Sequence, residues 1–232
     1  MNLRIAGIYF LIILFFLNNT EMDAQRDKLI YVGDPMCSWC YGFTMPLQQV
    51  KEKFPHLEFT MVMGGLRAGG QESMSSLKTF LREHWYEVHE KTGQPFAYGI
   101  LSDSSMIYNT EPACRAVVTV RKIAPEKEYA FFKALQRSFY AEGTDITQQA
   151  NLIAIAQSMG IDKNSFLDVF QSQEIKNNTK KDFMWSENLE VNGFPSLILY
   201  KEGRFSKLST GYSTYDQIVK KMETLQVKPY MD

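Results

Sequence analysis

The chain is poor in cysteine, with only three among its 232 residues. Three cysteines cannot build the disulfide framework of a small secreted domain, so a hydrophobic core must hold the fold together. The charge is also nearly balanced, with 25 basic and 26 acidic residues. Because a basic surface is missing, we expect no nucleic-acid partner.

Long apolar runs are scarce too. The exception spans residues 5–17, after Arg4 and before a polar stretch. This run is too short for a comfortable membrane span and suits the apolar region of a signal peptide. We predict a signal peptide at residues 1–24, although Met22 is a poor residue near a cleavage site after Ala24. The prediction is an exported, periplasmic protein without a stable membrane anchor; an uncleaved N-terminal anchor and a cytoplasmic protein are the alternatives.

The most informative feature that is present is the sequence Cys37-Ser38-Trp39-Cys40. A strand pattern at residues 28–33 precedes it, and a helix pattern follows. Two cysteines three apart at a helix start lie on one face, so their sulfurs can meet. Unpaired backbone N–H groups and the positive end of the helix dipole favour a thiolate at the first sulfur. The pattern predicts a dithiol–disulfide redox centre.

A pair of cysteines with this spacing also occurs in zinc sites, which is the alternative interpretation. A structural zinc ion needs four ligands, and only Cys114 and the scattered His56, His84 and His89 remain. His84 and His89 are five apart, which is poor spacing for ligands on one helix face. We therefore expect no metal. Cys114 falls in an apolar helix pattern and is interpreted as a packing residue, with a second redox role as its alternative.

The remaining pattern indicates an α/β protein with a central helical block. A helix is predicted from about Cys37 to Lys53, with a kink at Pro46. Alternation at residues 57–63 predicts a strand, and helical spacing then continues from about residue 73 to 189. Two strands follow at residues 196–200 and 204–209. The sequence Ser213-x-x-Asp216 resembles a capping box that opens a last helix.

Four segments resemble known proteins: Asp34–Phe43, Gly64–Arg67, Glu111–Ala116 and Gly193–Ser196. Together they are similar to the thioredoxin superfamily, to its DsbA-like branch, and most of all to the FrnE-like predicted disulfide isomerases. The resemblance implies an α/β thioredoxin-like fold with an inserted all-α domain. Residues 27–65 and 191–226 would form the thioredoxin-like domain, and residues 66–190 the helical insertion.

The resemblance also implies roles for the cysteine motif. Cys37 would be the exposed nucleophile, and Cys40 the buried resolving thiol that releases the substrate. Ser38 and Trp39 would tune the reduction potential. Trp39 is also expected either to contact substrate chains or simply to pack.

Two further positions follow from the resemblance. Pro195 would follow a cis peptide bond and face the cysteine pair, which leaves the backbone of Phe194 free to bind a substrate strand. Thioredoxins carry a buried acid six residues before the first cysteine, where this chain has Tyr31. Another group or water must then move the proton of the second cysteine, and Asp34 is expected to be a turn residue.

The predicted function is thiol–disulfide exchange on protein disulfides, by an oxidase, reductase or isomerase. It needs no cofactor beyond the Cys37–Cys40 disulfide, and a separate redox partner would recycle the enzyme. One alternative is a kappa-type glutathione transferase or 2-hydroxychromene-2-carboxylate isomerase, which share the architecture and typically lack the second cysteine. Another is a holdase chaperone on the same fold.

Overall fold

The computed structural model describes residues 27–230. Its strands are β1 (Lys28–Gly33), β2 (Glu58–Met63), β3 (Ser196–Lys201) and β4 (Arg204–Thr210). Its α-helices are α1 (Ser38–Gly42), α2 (Thr44–Lys53), α3 (Lys78–Thr92), α4 (Glu111–Ile123), α5 (Glu128–Tyr140), α6 (Gln149–Ser158), α7 (Lys163–Gln171), α8 (Gln173–Asn188) and α9 (Tyr215–Thr224). Short 3-10 helices occupy Tyr98–Ser102 and Pro125–Lys127.

The strands form one mixed sheet in the order β2-β1-β3-β4. The β1–β2 pair is parallel, whereas the β1–β3 and β3–β4 pairs are antiparallel. Strand β1 is therefore central, and the cysteine motif that follows it begins at the end of a buried strand. The predicted order of β-α-β, a helical block and β-β-α is confirmed.

The two faces of the sheet are covered by different parts of the chain. Leu29 and Tyr31 of β1 belong to the main core, while Ile30 and Val32 belong to a smaller cluster on the opposite face. This alternation is the period of two expected for a strand. Trp185 of α8 packs on the smaller cluster.

The main core continues from the sheet into the inserted helices. Leu197 of β3, Trp85 of α3 and Phe132 of α5 are members of one connected cluster of buried side chains. Burial of such large apolar residues is the main favourable term in folding. The division of the chain after residues 65 and 190 into two domains stays a prediction.

The helix predicted from Cys37 to Lys53 is wrong in one respect, because it is two helices. Phe43 separates α1 from α2. Pro46 does not kink a continuous helix but lies in the first turn of α2, where a missing N–H removes no internal hydrogen bond.

The capping box of the last helix is shifted by one residue from the predicted pair. Thr214, rather than Ser213, caps α9, and its hydroxyl accepts a hydrogen bond from the Gln217 N–H. The Gln217 side chain in turn accepts from the Thr214 N–H at 2.9 Å. A glutamine completes the box as well as an acid does, so the predicted Asp216 is not needed.

A largely buried ion pair ties the helical block to the edge of the sheet. The Asp182 carboxylate of α8 accepts hydrogen bonds from the Met63 N–H at 2.9 Å and from both terminal nitrogens of Arg121 at 2.9 and 2.8 Å. Arg121 also donates to the Met61 carbonyl at 3.0 Å. The network therefore binds backbone groups of β2, which is the edge strand on that side of the sheet.

We expect the Asp182→Ala variant to lose about 2–3 kcal/mol of unfolding free energy. The substitution leaves the buried Met63 N–H unpaired and removes the Asp182 partner of Arg121, which keeps its bonds to Glu128 and to the Met61 carbonyl. Urea unfolding followed by circular dichroism measures this loss. Glu174→Ala is the matched control, since its pair with Lys122 is exposed and should contribute less than about 1 kcal/mol. Equal losses in the two variants would contradict the interpretation.

The predicted signal peptide, residues 1–24, lies outside the described residues. Within residues 27–230, no helix is long and apolar enough to cross a bilayer.

Candidate active site

The two cysteines of the motif meet at the start of α1. Cys37 is the N-cap residue, and its sulfur accepts a hydrogen bond from the Cys40 N–H at 3.4 Å. Cys37 is 6% exposed and Cys40 is 1% exposed. Both are free thiols, so the structure describes the reduced pair. Cys37 is therefore buried rather than exposed as predicted, although it is the more accessible of the two cysteines.

Asp34 organises the turn that leads into the pair. Its carboxylate accepts a hydrogen bond from the Met36 N–H at 2.8 Å, and its carbonyl accepts one from the Cys37 N–H at 3.1 Å. The prediction of a turn residue is therefore confirmed. The carboxylate also binds the Leu66 N–H at 2.8 Å and the Cys114 thiol at 3.3 Å. Although burial raises the pKa of Asp34, these donors act in the opposite direction.

Cys114 is buried on α4, as the packing interpretation predicts, but its thiol also donates to Asp34. Burial raises the pKa of Cys114 well above its usual value, and the neighbouring carboxylate adds to the effect. A thiol held neutral in this way is a poor nucleophile. The second redox role proposed as an alternative therefore has little chemical support.

The loop after β2 is fixed by side-chain acceptors. The Arg67 N–H donates to the Thr110 hydroxyl at 3.2 Å, and the Gly69 N–H donates to the Asn109 side chain at 2.9 Å. Tyr108, from the same connecting segment, donates its hydroxyl hydrogen bond to the Met36 carbonyl. The loop, the motif turn and the start of α4 are thus held together.

The segment before β3 lies against the cysteine pair. The Phe194–Pro195 peptide bond is cis, as predicted, and Pro195 is buried. The Phe194 carbonyl lies 3.7 Å from the Cys37 sulfur and accepts from its thiol. The Phe194 ring also covers Gly64, where a Cβ atom would lie 2.3 Å from that ring. Gly64 is therefore required for this close approach.

An open cavity of about 570 Å³ lies beside Cys37. Its walls include Ser38, Trp39, Leu66, Arg67, Phe80 and Phe194. Leu66 and Phe80 are 41% and 52% exposed, which is unusual for apolar side chains near one another. Trp39 lines this groove and packs 5.7 Å from the Tyr212 ring. The packing interpretation is therefore confirmed, and contact with substrate chains stays a prediction.

Arg67 adds charge to the same groove and is paired with Glu72 at 2.7 Å. His84 of α3 also lines the groove, although it carried no motif in the sequence. His84 and Phe80 come from the helical block, whereas Cys37 and Phe194 come from the thioredoxin-like part of the chain. The sequence did not indicate these contacts, because they join residues that are far apart in the chain and local residue spacing does not record them.

The protonation of Cys40 depends on its burial. Burial raises the pKa of the Cys40 thiol well above its usual value, and the Cys37 sulfur adds to this effect. The backbone of Asp34 and the side chain of Tyr31 act in the opposite direction on this pKa. Within residues 27–230, no group of three or more His, Cys, Asp or Glu side chains is placed to hold a metal ion.

Comparison with solved structures shows the same architecture in other proteins. A candidate protein disulfide isomerase from Nitrosomonas europaea is 35% identical and superposes with a TM-score of 0.79, covering 87% of this chain and 98% of that one. The cytosolic disulfide reductase DsbM from Pseudomonas aeruginosa is 24% identical with a TM-score of 0.74, covering 86% and 99%. The thioredoxin-like fold with a helical insertion is therefore confirmed.

Among curated proteins, the ClpXP adapter protein SpxH from Shouchella clausii is 22% identical over 213 residues, which are 88% of this chain and 70% of that protein. The family described as the DSBA-like thioredoxin domain matches residues 28–223. That match begins at the first strand, ends within the last helix and includes both halves of the cysteine site. The chain accordingly belongs to the DSBA-like thioredoxin domain family.

Proposed function

We propose that this protein is a thiol–disulfide oxidoreductase that acts on protein substrates through Cys37 and Cys40. The observation that carries the proposal is the position of the Cys37 sulfur. It accepts the Cys40 N–H at 3.4 Å, lies 3.7 Å from the Phe194 carbonyl and borders an open groove. Those contacts suit a sulfur that forms a mixed disulfide with an incoming chain and is then attacked by the neighbouring thiol, which releases the chain.

In the reductive direction, the Cys37 thiolate attacks one sulfur of a substrate disulfide, and the other substrate sulfur leaves as a thiolate. Cys40 then attacks Cys37, which forms the Cys37–Cys40 disulfide and releases the second substrate thiol. In the oxidative direction the same steps run in reverse. The reduction potential and the redox partner that recycles the enzyme set the direction.

The Phe194 backbone and the groove are the proposed substrate-binding elements. An extended chain could hydrogen-bond with the backbone beside Cys37, as in strand addition, while its side chains rest on Trp39 and the apolar groove wall. Pro195 is buried behind this segment, and its carbonyl accepts the Gly211 N–H at 2.7 Å. In this proposal Pro195 shapes the site rather than contacting the reacting atoms.

Reduction of insulin by a thiol reductant, with and without the protein, tests the proposed function. We expect a clear acceleration that depends on the cysteine pair. The kappa-type transferase alternative predicts conjugation of glutathione to an electrophile with no need for Cys40. The holdase alternative predicts suppression of aggregation that survives in a Cys37→Ser variant, without accelerated insulin reduction.

Export remains part of the proposal, because a disulfide catalyst suits a compartment in which disulfides persist. Sequencing the N-terminus of the natively expressed protein tests it. A start at or near Gln25, in a periplasmic or secreted fraction, is expected. An intact Met1 in the soluble cytoplasmic fraction would contradict export without affecting the redox chemistry.

A further inference from the structure

A second cavity, of about 550 Å³, lies next to the groove at Cys37. Ala68 and Gly69, in the loop that follows β2, line both cavities. The contacts of this loop with Asn109 and Thr110, described above, hold it in place. A polypeptide that leaves the groove across Ala68 and Gly69 therefore passes directly into the second cavity.

One wall of the second cavity is a face of α8. The wall residues of this helix that lie three or four positions apart share one side of it, namely Lys176, Thr179, Lys180 and Phe183. The Phe183 ring packs against Gly65, where a Cβ atom would lie 2.8 Å from the ring. This contact fixes α8 beside the loop, so the two lysines have a defined position relative to the groove.

The second cavity carries an excess of positive charge. Its charged wall residues are Lys176, Lys180, Arg115 and Glu111, which leave a net charge of +2, whereas the whole chain has a net charge of −1. The Arg115 guanidinium is paired with Glu111 at 2.9 Å. Within residues 27–230, the ammonium groups of Lys176 and Lys180 have no hydrogen bond or ion pair.

The two lysines are therefore the groups that remain available to a ligand. Arg115 is occupied, because its terminal nitrogens donate to the Phe170 carbonyl and to Glu111, both at 3.2 Å. Lys176 and Lys180 are four residues apart on one helix and repel each other, and an anion bound between them would relieve that repulsion. A cavity of this charge favours a negatively charged ligand.

We propose that the second cavity binds acidic side chains of the polypeptide that reacts at Cys37, and that Lys176 and Lys180 recognise them. The inference rests on the proposed function, because it adds a substrate preference to the same site. An extended chain fits better than a small anion, because the groove and the cavity share a border. The loop of residues 66–70 spans at most about 18 Å, so the acidic residues should lie within about five residues of the reacting cysteine.

Peptides with a single cysteine in disulfide linkage to thionitrobenzoate test the proposal. When Cys37 of the reduced protein attacks the peptide sulfur, the coloured thionitrobenzoate leaves as a thiolate and the peptide becomes linked to Cys37. Cys40 then attacks Cys37 and releases the peptide thiolate, which leaves the Cys37–Cys40 disulfide. Stopped-flow absorbance gives the second-order rate constant of the first step.

The peptides differ only at about the third and fourth positions from the cysteine, which are both glutamate, both glutamine or both lysine. One set carries these residues before the cysteine and the other set after it, because the direction of the bound chain is part of the test. The ratio of the glutamate to the glutamine rate constant measures the acidic preference. Each ratio is measured at about 0.01 M and about 1 M salt, where charges are screened over about 30 Å and about 3 Å.

In one of the two sets, we expect the wild-type protein to react about tenfold faster with the glutamate peptide at low salt, because two exposed ion pairs together contribute about this factor. At high salt the preference should nearly vanish. The Lys176→Gln/Lys180→Gln variant should lose the preference, and Lys176→Glu/Lys180→Glu should favour the lysine peptide. Lys220→Gln/Lys221→Gln is the matched control, because it removes two charges from α9, none of whose residues within 27–230 lines either cavity.

Equal rates for the glutamate and glutamine peptides in both sets, with reaction at Cys37 intact, would overturn the acidic site and leave the proposed function standing. A preference that survives in Lys176→Gln/Lys180→Gln, or that the control variant loses to the same extent, would also overturn it, because another part of the protein would then be the cause. Failure of every peptide to react at Cys37 would instead contradict the proposed function, and the inference would fall with it.

Discussion

Replacing Cys37 by serine should abolish catalysed insulin reduction, with a loss of about 10³-fold or more in rate. The hydroxyl of serine is a far weaker nucleophile than a thiolate, and within residues 27–230 no other cysteine or methionine lines the groove. Cys37→Ser makes a small change in side-chain volume and keeps an acceptor for the Cys40 N–H, so the fold should be unchanged. Insulin turbidity measures the rate.

Cys114→Ser is the control for this experiment, because it removes the remaining cysteine outside the motif and retains a donor toward Asp34. It should keep most of the activity. Comparable losses in the two variants would indicate that loss of stability, rather than loss of the nucleophile, explains the result. Full activity in Cys37→Ser would contradict the assignment of the nucleophile.

Replacing Cys40 by serine should have a different and equally visible effect, namely the accumulation of mixed disulfides. Cys37 can still attack a substrate disulfide, but no neighbouring thiol remains to release the product. Non-reducing electrophoresis of a Cys40→Ser reaction should show covalent adducts of the protein that disappear on treatment with dithiothreitol. Mass spectrometry should place the adduct on Cys37.

The double variant Cys37→Ser/Cys40→Ser should form no adduct, which separates trapping at the motif from trapping at Cys114. Rapid turnover by Cys40→Ser without added small thiols would reverse the assignment of roles. An adduct on Cys114 would show that the buried thiol becomes exposed and reactive during the reaction.

The sequence predicted those features of the fold that depend on local periodicity. The alternation at residues 57–63 corresponds to β2, and the runs around residues 196–200 and 204–209 correspond to β3 and β4. The cysteine motif was visible because its chemistry needs two sulfurs at a fixed spacing. The cis bond before Pro195 came instead from the family resemblance.

Other features depend on long-range contacts that spacing does not record. Asp34 has the local signature of a turn, yet it also binds Leu66 and Cys114, which are 32 and 80 residues away. Tyr108 reaches Met36 across 72 residues. Phe80 and His84 reach the groove because α3 packs beside the motif, and only the tertiary structure brings them there.

The break at Phe43 is a different case, because it depends on a local preference of proline that the prediction placed in the middle of one helix. Proline is disfavoured inside a helix but is accommodated in the first turn. The chain satisfies this rule by ending α1 before Pro46 and starting a second helix at Thr44. The shift of the last capping box from Ser213 to Thr214 is also a local difference, because serine and threonine can both cap a helix.

The central claim is that Cys37 and Cys40 form a reversible redox couple, and the reduction potential of that couple tests it most directly. Equilibration of the protein in glutathione buffers, followed by acid quenching, alkylation and mass spectrometry, gives the fraction of Cys37–Cys40 disulfide. We predict a two-electron transition between about −270 and −120 mV, the range of catalytic thioredoxin-like proteins. A midpoint below about −300 mV, as in structural disulfides, or no Cys37–Cys40 disulfide at any buffer ratio, would contradict it.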